Sequence, residues 1–150
     1  MLLDDPLNAK IVQELRSDGR LTMQKLGERV GLSPSACLRR VRDLERSGVI
    51  QGYRAVVDPA AVGVGFTAYI AIGLSSHTTA SQLDFERAMK NAPQVVECHN
   101  ITGTVEYMLR VEASDLASYK HFHSNVLGTH EHVRTITTYV VMGSPKDERA

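Results

Sequence analysis

The sequence predicts an α+β protein in two parts, a trio of short helices followed by a domain of strands and helices. Two observations separate the parts. Residues 1–54 carry ten basic and seven acidic residues, a net charge of +3, whereas residues 55–150 carry seven and ten, a net charge of −3. Every aromatic residue and every histidine lies from Tyr53 onward. Such a shift in composition is typical of two domains, even though the whole chain of 150 residues has zero net charge.

The composition excludes several classes of protein. With 43% apolar and 23% charged residues, the chain has the composition of an ordinary globular protein. No apolar run approaches the roughly 18 residues of a membrane helix, so we expect no membrane partner and a cytoplasmic location. The two cysteines, Cys37 and Cys98, are too few for a disulfide framework or a four-cysteine zinc site.

The first two helices are marked by their caps and by the spacing of their apolar residues. Asp5-Pro6 is an N-cap residue followed by proline at the first helical position. Apolar residues then recur every four positions before Gly19, at Leu7, Ile11 and Leu15. A second helix is predicted between Thr22 and Gly31, with an apolar stripe of Met23, Leu26 and Val30.

The third helix, from Ser33-Pro34 to Gly48, is the most informative. At about 100° per residue, one side collects apolar side chains: Cys37, Leu38, Val41 and Leu44. The far side collects a serine and three arginines: Ser35, Arg39, Arg42 and Arg46. Arg40 lies apart, on the flank. A row of arginines is also typical of a solvated helix face, so the neighbouring elements decide its interpretation.

Residues 49–57 are expected to form a strand or a hairpin that turns at Gly52. Three helices and a hairpin predict a winged helix-turn-helix domain over residues 1–52, with residues 53–65 as a linker. Arginine forks suit guanine edges and phosphates, and a helix that begins at Ser-Pro directs backbone N–H groups toward a phosphate. We therefore predict DNA contacts from Ser35, Arg39, Arg42 and Arg46, with Ser33 and Arg40 as phosphate contacts or supports.

Residues 66–150 predict a second domain. A buried strand over residues 66–74 precedes a helix that ends before Pro93 and that begins at Ser81, where Ser-x-x-Asp resembles a capping box. A hairpin follows, with strands at 95–102 and 105–112 around the turn Gly103-Thr104. Ser114 or Asp115 caps a helix to about Leu127, and residues 133–142 form the last strand.

This β-α-β-β-α-β order is typical of a ferredoxin-like fold, with a four-stranded sheet and both helices on one face. The other face is rich in valine, isoleucine and tyrosine. We therefore expect a partner to cover it.

Two stretches carry a resemblance to a known family: DGRLTMQKLGERVGLSPSACLRRVRDLERSGVIQGYRAVVDPAAVG and ITGTVEYMLRV. They resemble the Lrp/AsnC (feast/famine) family of prokaryotic transcription regulators, over about residues 4–142. Three positions depart from the family pattern. Asn8 replaces a usual acidic residue, Gly27 stands where alanine is common, and Glu106 occupies the usual aspartate position after the glycine of the hairpin turn.

The resemblance implies partners and a second site. It implies a dimer formed through the C-terminal domains, assembling further into an octamer that wraps double-stranded DNA. It also implies a small effector, usually an amino acid, bound between dimers near the hairpin turn. The effector residues carried over are Thr102, Gly103, Thr104 and Glu106, joined by Thr135, Thr137 and Thr138. A carboxylate can hold an α-ammonium group, and N–H groups at a glycine turn can hold a carboxylate. In isolation Gly103 is equally typical of a tight hairpin turn.

Two other sequence patterns, a set of histidines and a Cys-His pair, could indicate a metal site and a catalytic site. Four histidines, in His121-Phe122-His123 and His130-Glu131-His132, suggest a metal site. Helical residues two apart diverge, however, and His123 lies in an apolar stripe, so we predict no metal and no cofactor. Cys98 and His99 could form a nucleophile and base, but neighbouring residues of a strand point to opposite faces. With no phosphate loop, dinucleotide fingerprint or carboxylate pair, we predict that the chain is not an enzyme.

The prediction is a sequence-specific DNA-binding transcription regulator whose assembly or DNA affinity responds to a small effector. The alternative is a ligand-binding sensor of the same fold that does not bind DNA. The sequence leaves open the effector, the operator, the direction of regulation and the number of subunits.

Overall fold

The computed structural model describes residues 2–147. The chain divides into two compact units, an N-terminal unit up to Val56 and a C-terminal unit from Val57 to Asp147. Met1 and residues 148–150, which the predicted domains include, lie outside the described residues. The α+β class is confirmed, with helices alone in the first unit and a helix-covered sheet in the second.

Three helices form the N-terminal unit, after a short 3-10 turn at Leu2–Asp4: α1 (Pro6–Ser17), α2 (Met23–Val30) and α3 (Pro34–Arg46). Each begins at a residue whose side-chain oxygen accepts a backbone N–H, and these caps are the predicted ones, Asp5, Thr22 and Ser33. The caps satisfy N–H groups that a helix start would otherwise leave without partners. The local signals in the sequence were therefore sufficient to place all three helix starts.

The apolar stripes of these helices meet in one core. Its buried members are Ile11, Leu15, Leu21, Leu26, Val30, Cys37, Val41 and Leu44. One residue of the predicted stripe is different, because Leu38 is 38% exposed. On a helical wheel Leu38 lies between the apolar side and the arginine side of α3, so it borders the core without entering it.

The predicted strand or hairpin over residues 49–57 is wrong for this chain. Residues 51–58 have no strand pairing among the described residues, and Val56 is 90% exposed. Ile50 still packs against the helical core, and its N–H donates to the Leu44 carbonyl at 3.1 Å. An isolated two-stranded hairpin is marginal in water, and this segment lacks a third strand on which to pair.

The turn between α2 and α3 depends on two glycines. Gly31 ends α2 with φ 76°, a left-handed conformation that glycine adopts without cost. Gly27 lies one turn earlier, where its carbonyl accepts N–H groups from both Gly31 and Leu32, at 2.8 and 3.0 Å. A Cβ atom at Gly27 would lie only 2.4 Å from the Leu32 carbonyl oxygen. Gly27, the position where the family commonly has alanine, therefore lets the turn pack tightly against α2.

The C-terminal unit is an antiparallel sheet of four strands, in the order β2-β3-β1-β4. The strands are β1 (Phe66–Leu74), β2 (Val95–Asn100), β3 (Tyr107–Ala113) and β4 (Val133–Val140). The predicted ferredoxin-like order is confirmed. The hairpin strands stop farther from the turn than predicted, leaving residues 101–106 irregular, and β4 ends two residues early.

A 3-10 turn at Ala60–Val62 precedes the sheet. Two helices connect the strands, α4 (Thr79–Asn91) and α5 (Leu116–Phe122). Asp115 caps α5, as predicted, and a π-helical turn (His123–Leu127) extends it. The predicted cap of α4 is wrong: Thr78 is the cap, and its hydroxyl oxygen accepts the Ser81 N–H at 3.2 Å. Ser81 instead lies buried in the first turn, donating to the Ser76 carbonyl at 2.9 Å. None of the described helices is both long and apolar enough to cross a bilayer.

Both helices cover the same face of the sheet. The core between them includes fully buried side chains from every layer: Ile70, Ile72, Phe85, Tyr107, Leu109 and Phe122. The alternate residues of the strands point to the opposite face, which no described element of the C-terminal unit covers. There Tyr69 lies opposite Tyr139 in the register, and the two are 40% and 56% exposed.

We expect Gly27→Ala to destabilise the N-terminal unit. Helix propensity alone favours alanine over glycine by about 1 kcal/mol, but the new methyl group would overlap the Leu32 carbonyl oxygen. Overpacking of this kind costs about 1–3 kcal/mol, so the free energy of unfolding should fall. Urea unfolding followed by circular dichroism measures it.

Gln24→Ala, on the exposed side of the same helix, is the matched control and should leave stability unchanged or slightly higher. A Gly27→Ala variant as stable as Gln24→Ala would show that the turn relaxes freely, contrary to the account given above.

Candidate nucleic-acid interface and effector site

The outer face of α3 presents the predicted arginines to solvent. Arg39 and Arg42 are both exposed, and within residues 2–147 neither has an ion-pair partner. Ser33 and Ser35 lie at the start of the same helix, with their hydroxyl oxygens 3.2 Å apart. The exposed guanidinium groups and the positive end of a 13-residue helix therefore share one surface.

Arg40 has a different role from the other arginines. Its Nη1 donates to Asp5 Oδ2 at 2.5 Å and to Asn8 Oδ1 at 2.8 Å, so it ties α3 to α1. The hydrogen bond from Arg40 holds the pKa of Asp5 below its usual value of 3.8. Asn8 itself is buried. Of the two roles predicted for Arg40, these contacts favour that of a support.

Arg46, in the last turn of α3, forms an ion pair with Asp43 but keeps 77% of its side chain exposed. Such exposed pairs are weak, about 0–1 kcal/mol, so Asp43 does little to prevent a phosphate from taking its place. Arg46 therefore stays available for a phosphate contact, although Asp43 partly compensates its charge.

The predicted effector residue Glu106 lies just before β3 and is held at the end of β1. Its Oε2 accepts the Leu74 N–H at 2.6 Å, and its backbone N–H donates to the Ile72 carbonyl at 3.0 Å. Its Oε1 lies 3.1 Å from His77 Nδ1. The Glu106 side chain is 18% exposed, whereas the His77 ring is 76% exposed. One carboxylate oxygen is therefore bonded to the sheet backbone, and the other faces an exposed imidazole.

Thr135 lies at the same place. A Cβ atom on Gly73 would lie 2.3 Å from Thr135 Oγ1 and 3.7 Å from Glu106 Oε2, so Gly73 permits the hydroxyl and the carboxylate to converge. Thr137 points to the same face two residues farther along β4, opposite Ala71. The structure thus brings together two of the predicted residues, Glu106 and Thr135, with Thr137 at a distance.

The remaining predicted residues lie elsewhere. Thr102, Gly103 and Thr104 are exposed in the turn. Thr138 belongs to the helix-covered face, where its hydroxyl bonds that of Tyr119, so it does not converge with Glu106.

Sequence reasoning missed two residues that contact or shape this site, Gly73 and His77. The signal for Gly73 was present, because a lone glycine in an apolar strand often marks a close approach.

Arg110 is the centre of the uncovered sheet face. Its side chain, 5% exposed, pairs with Glu112 at 3.2 Å, Asp147 at 3.2 Å and Glu97 at 3.8 Å. Its guanidinium carbon lies 5.9 Å from the centre of the Tyr69 ring. The face therefore carries a buried arginine paired with partly exposed carboxylates, beside two exposed tyrosines, and arginine and tyrosine are enriched at interfaces.

The geometry does not bring Cys98 and His99 together. His99 lies beside Glu97, at 3.5 Å, on the uncovered face, whereas Cys98 points toward the helix side near Glu86. Burial, with a smaller contribution from the Glu86 carboxylate, raises the pKa of the Cys98 thiol to about 11. At neutral pH the sulfur is therefore a protonated thiol, which is a poor nucleophile.

Comparison with known proteins places both units. Residues 4–51 match a family model described as winged helix-turn-helix DNA-binding, and residues 67–150 match one described as the Lrp/AsnC ligand binding domain. The chain is 38% identical over 143 residues to the leucine-responsive regulatory protein of Rhizobium meliloti, covering 95% of this chain and 92% of the relative.

Two solved structures are similar along nearly the whole chain. One is a transcriptional regulator of Neisseria meningitidis in complex with L-Met, with a TM-score of 0.91, 34% identity and coverage of 95% of this chain and 92% of that one. The other is an AsnC family transcriptional regulator of Agrobacterium tumefaciens, with a TM-score of 0.89, 32% identity and coverage of 95% and 93%. The relatives are transcription regulators in each case, and this chain belongs to the Lrp/AsnC family.

Proposed function

We propose that this regulator binds promoter DNA with the outer face of α3. The observation that carries the proposal is the pair Arg39 and Arg42, exposed and without ion-pair partners in residues 2–147, on the second helix of a helix-turn-helix. That helix is the one that enters the major groove in such motifs. Arg39 and Arg42 would contact base edges, while Ser33, Ser35 and Arg46 would contact phosphates. Arg40 would orient α3 through its hydrogen bonds to Asp5 and Asn8, on the side that faces α1.

The double variant Arg39→Ala, Arg42→Ala should weaken binding to operator DNA at least about tenfold, since each bidentate base contact contributes about 1–3 kcal/mol. Operator fragments are those that the wild-type protein enriches from genomic DNA. Fluorescence anisotropy at fixed salt measures the affinity.

Arg16→Ala, Arg20→Ala is the matched control, because it removes two exposed arginines of the same unit away from α3. Equal losses in the two double variants would indicate general charge and not recognition by α3. If wild type enriched no fragment, the alternative of a ligand sensor without DNA binding would be favoured.

We further propose that the effector is an amino acid held at Glu106. The L-Met complex of the Neisseria relative supports this ligand class. Glu106 Oε1 lies 3.1 Å from the exposed His77 ring, so an α-ammonium group could replace that ring without disturbing the Leu74 N–H on Oε2. Thr135 and Thr137 would line the site along β4, with the turn Thr102, Gly103 and Thr104 closing over it.

An amino acid that binds here should raise the melting temperature of wild type and not of Glu106→Gln. Glutamine keeps an oxygen for the Leu74 N–H but loses the charge that an ammonium group needs. Thermal shift across the twenty amino acids measures this.

His77→Gln is the control, and it should keep or strengthen the response because the competing imidazole is gone. The effector site would be contradicted by an unchanged response in Glu106→Gln, or by a wild type that responds to none of the twenty.

We propose that a second copy of the chain covers the uncovered sheet face and that the dimers assemble further, toward an octamer. Tyr69 and Tyr139 form an exposed cross-strand pair beside the buried Arg110 and its partly exposed carboxylates, which favours an aromatic and charged partner surface. With zero net charge, one DNA-binding head would hold DNA weakly. Linked heads raise the effective concentration of the second contact.

Tyr139→Glu should reduce the particle mass measured by light scattering, because it places a charge on this face, next to Tyr69. Leu83→Glu, which changes an exposed apolar residue of α4, should leave the mass unchanged. A wild type that is monomeric at micromolar concentration would contradict the assembly.

Two further parts of the proposal follow from the DNA partner. A protein that regulates promoters acts where the chromosome lies, so we propose a cytoplasmic location. We also propose that it has no catalytic activity, since the raised thiol pKa of Cys98 and its separation from His99 leave no activated nucleophile there.

A further inference from the structure

Asp84 lies close to both histidines of the loop before β4, His130 and His132. Its Oδ2 lies 3.5 Å from His130 Nε2 and 3.9 Å from His132 Nε2, while Glu131 Oε1 lies 3.5 Å from His132 Nε2. Asp84 belongs to α4, and the other three precede β4. One oxygen or nitrogen each from Asp84, Glu131 and His132 lies within 4.8 Å of the other two.

These distances suit a transition-metal ion. A tetrahedral zinc ion with bonds of about 2.0–2.2 Å places its ligand atoms roughly 3.4 Å apart, close to the separations around His132 Nε2. One imidazole and two carboxylates favour zinc, cobalt or nickel over calcium, which prefers oxygen ligands alone. Glu131 is 79% exposed, so its side chain can turn toward the other two ligands and close a spread of up to 4.8 Å.

Both sides of the cluster are fixed by the fold. Asp84 precedes the fully buried Phe85, and the His130 ring packs edge-on against the Phe85 ring at 5.5 Å. The His132 carbonyl accepts the Ser75 N–H at 2.8 Å, which anchors the loop to the end of β1. Little rearrangement is therefore needed to bring the ligands together.

His130 orients the cluster. Its Nδ1 accepts the His132 backbone N–H at 3.3 Å, and its Nε2 lies 3.5 Å from Asp84 Oδ2. We assign His130 the role of a positioning neighbour for the Asp84 carboxylate, of the kind common behind metal ligands. Arg87, 3.9 Å from Asp84, faces the other oxygen, Oδ1.

We propose that Asp84, Glu131 and His132 bind one zinc ion per chain, with solvent in the fourth position. The ion clips α4 to the loop before β4, and none of its three ligands is among the residues proposed above for DNA or effector binding. The structure gives the site a stabilising role, since a metal that binds the folded chain shifts the unfolding equilibrium.

The test is zinc titration of the full-length, tag-free protein by calorimetry, together with thermal unfolding and the visible spectrum of the cobalt-substituted form. Wild type should bind one equivalent and unfold at a higher temperature with zinc. Asp84→Asn and His132→Gln should each weaken binding at least about tenfold, as loss of a ligand or its support does. Both residues lie at the surface, and unfolding without zinc shows that each variant folds. If one of the two variants does not fold, zinc binding by the other variant tests the site.

His99→Gln is the matched control. His99 also has a carboxylate neighbour, Glu97, at 3.5 Å, but the guanidinium group 3.8 Å from that carboxylate belongs to the buried Arg110, 5% exposed, and opposes a cation there. Arg87 beside Asp84 is 74% exposed, so its side chain can turn away into solvent. This variant should bind zinc as wild type does. The proposal would be overturned by the absence of stoichiometric zinc binding, by Asp84→Asn and His132→Gln that bind as wild type does, or by an equal loss in His99→Gln.

Discussion

Two helices cover only one face of a four-stranded sheet, and this constraint organises the C-terminal unit. The covered face becomes an apolar core that includes Phe85 and Tyr107. The uncovered face has to be compatible with water in a single chain and with burial in an assembly. Arg110 reconciles the two requirements in part, because its Nη atoms pair with carboxylates, whereas its Nε is buried without a hydrogen-bond partner among the described residues. The proposed effector site depends on the same geometry, since Glu106 and Thr135 converge where the uncovered face reaches the end of β1.

The N-terminal unit separates recognition from support within a single helix. Arg39 and Arg40 are neighbours in sequence, but a turn of about 100° between them sends one to solvent and the other back to α1. The Arg40 contacts with Asp5 and Asn8 fix the rotation of α3 about its axis. That rotation sets which side chains face outward. Asn8 offers Arg40 a neutral amide oxygen at a position where the family usually has an acidic residue. Asp5 is therefore the residue that pairs with the charge of Arg40.

Local signals predicted most of the fold and fewer of the contacts. Caps such as Asp5 and Ser33 were placed correctly because they depend on residues within one helical turn. The strand at residues 49–57 was wrong because pairing needs a partner that local sequence does not supply. The predicted effector set is divided in the structure for the same reason. Because side chains alternate along β4, Thr137 and Thr138 point to opposite faces of the sheet. Which of the two faces the helices is decided by the tertiary structure and not by the local sequence. His77 beside Glu106, and Asp84 beside His132, join elements far apart in the chain.

The close approach at Gly27 also constrains how this sequence can diverge. Any side chain introduced there has to displace the Leu32 carbonyl, and that carbonyl lies in the turn that positions the start of α3. An exchange to alanine is therefore accepted only after, or together with, changes that shift the turn. The effect of each substitution depends on which came first, so positions in α2 and in the turn are expected to be inherited as a set.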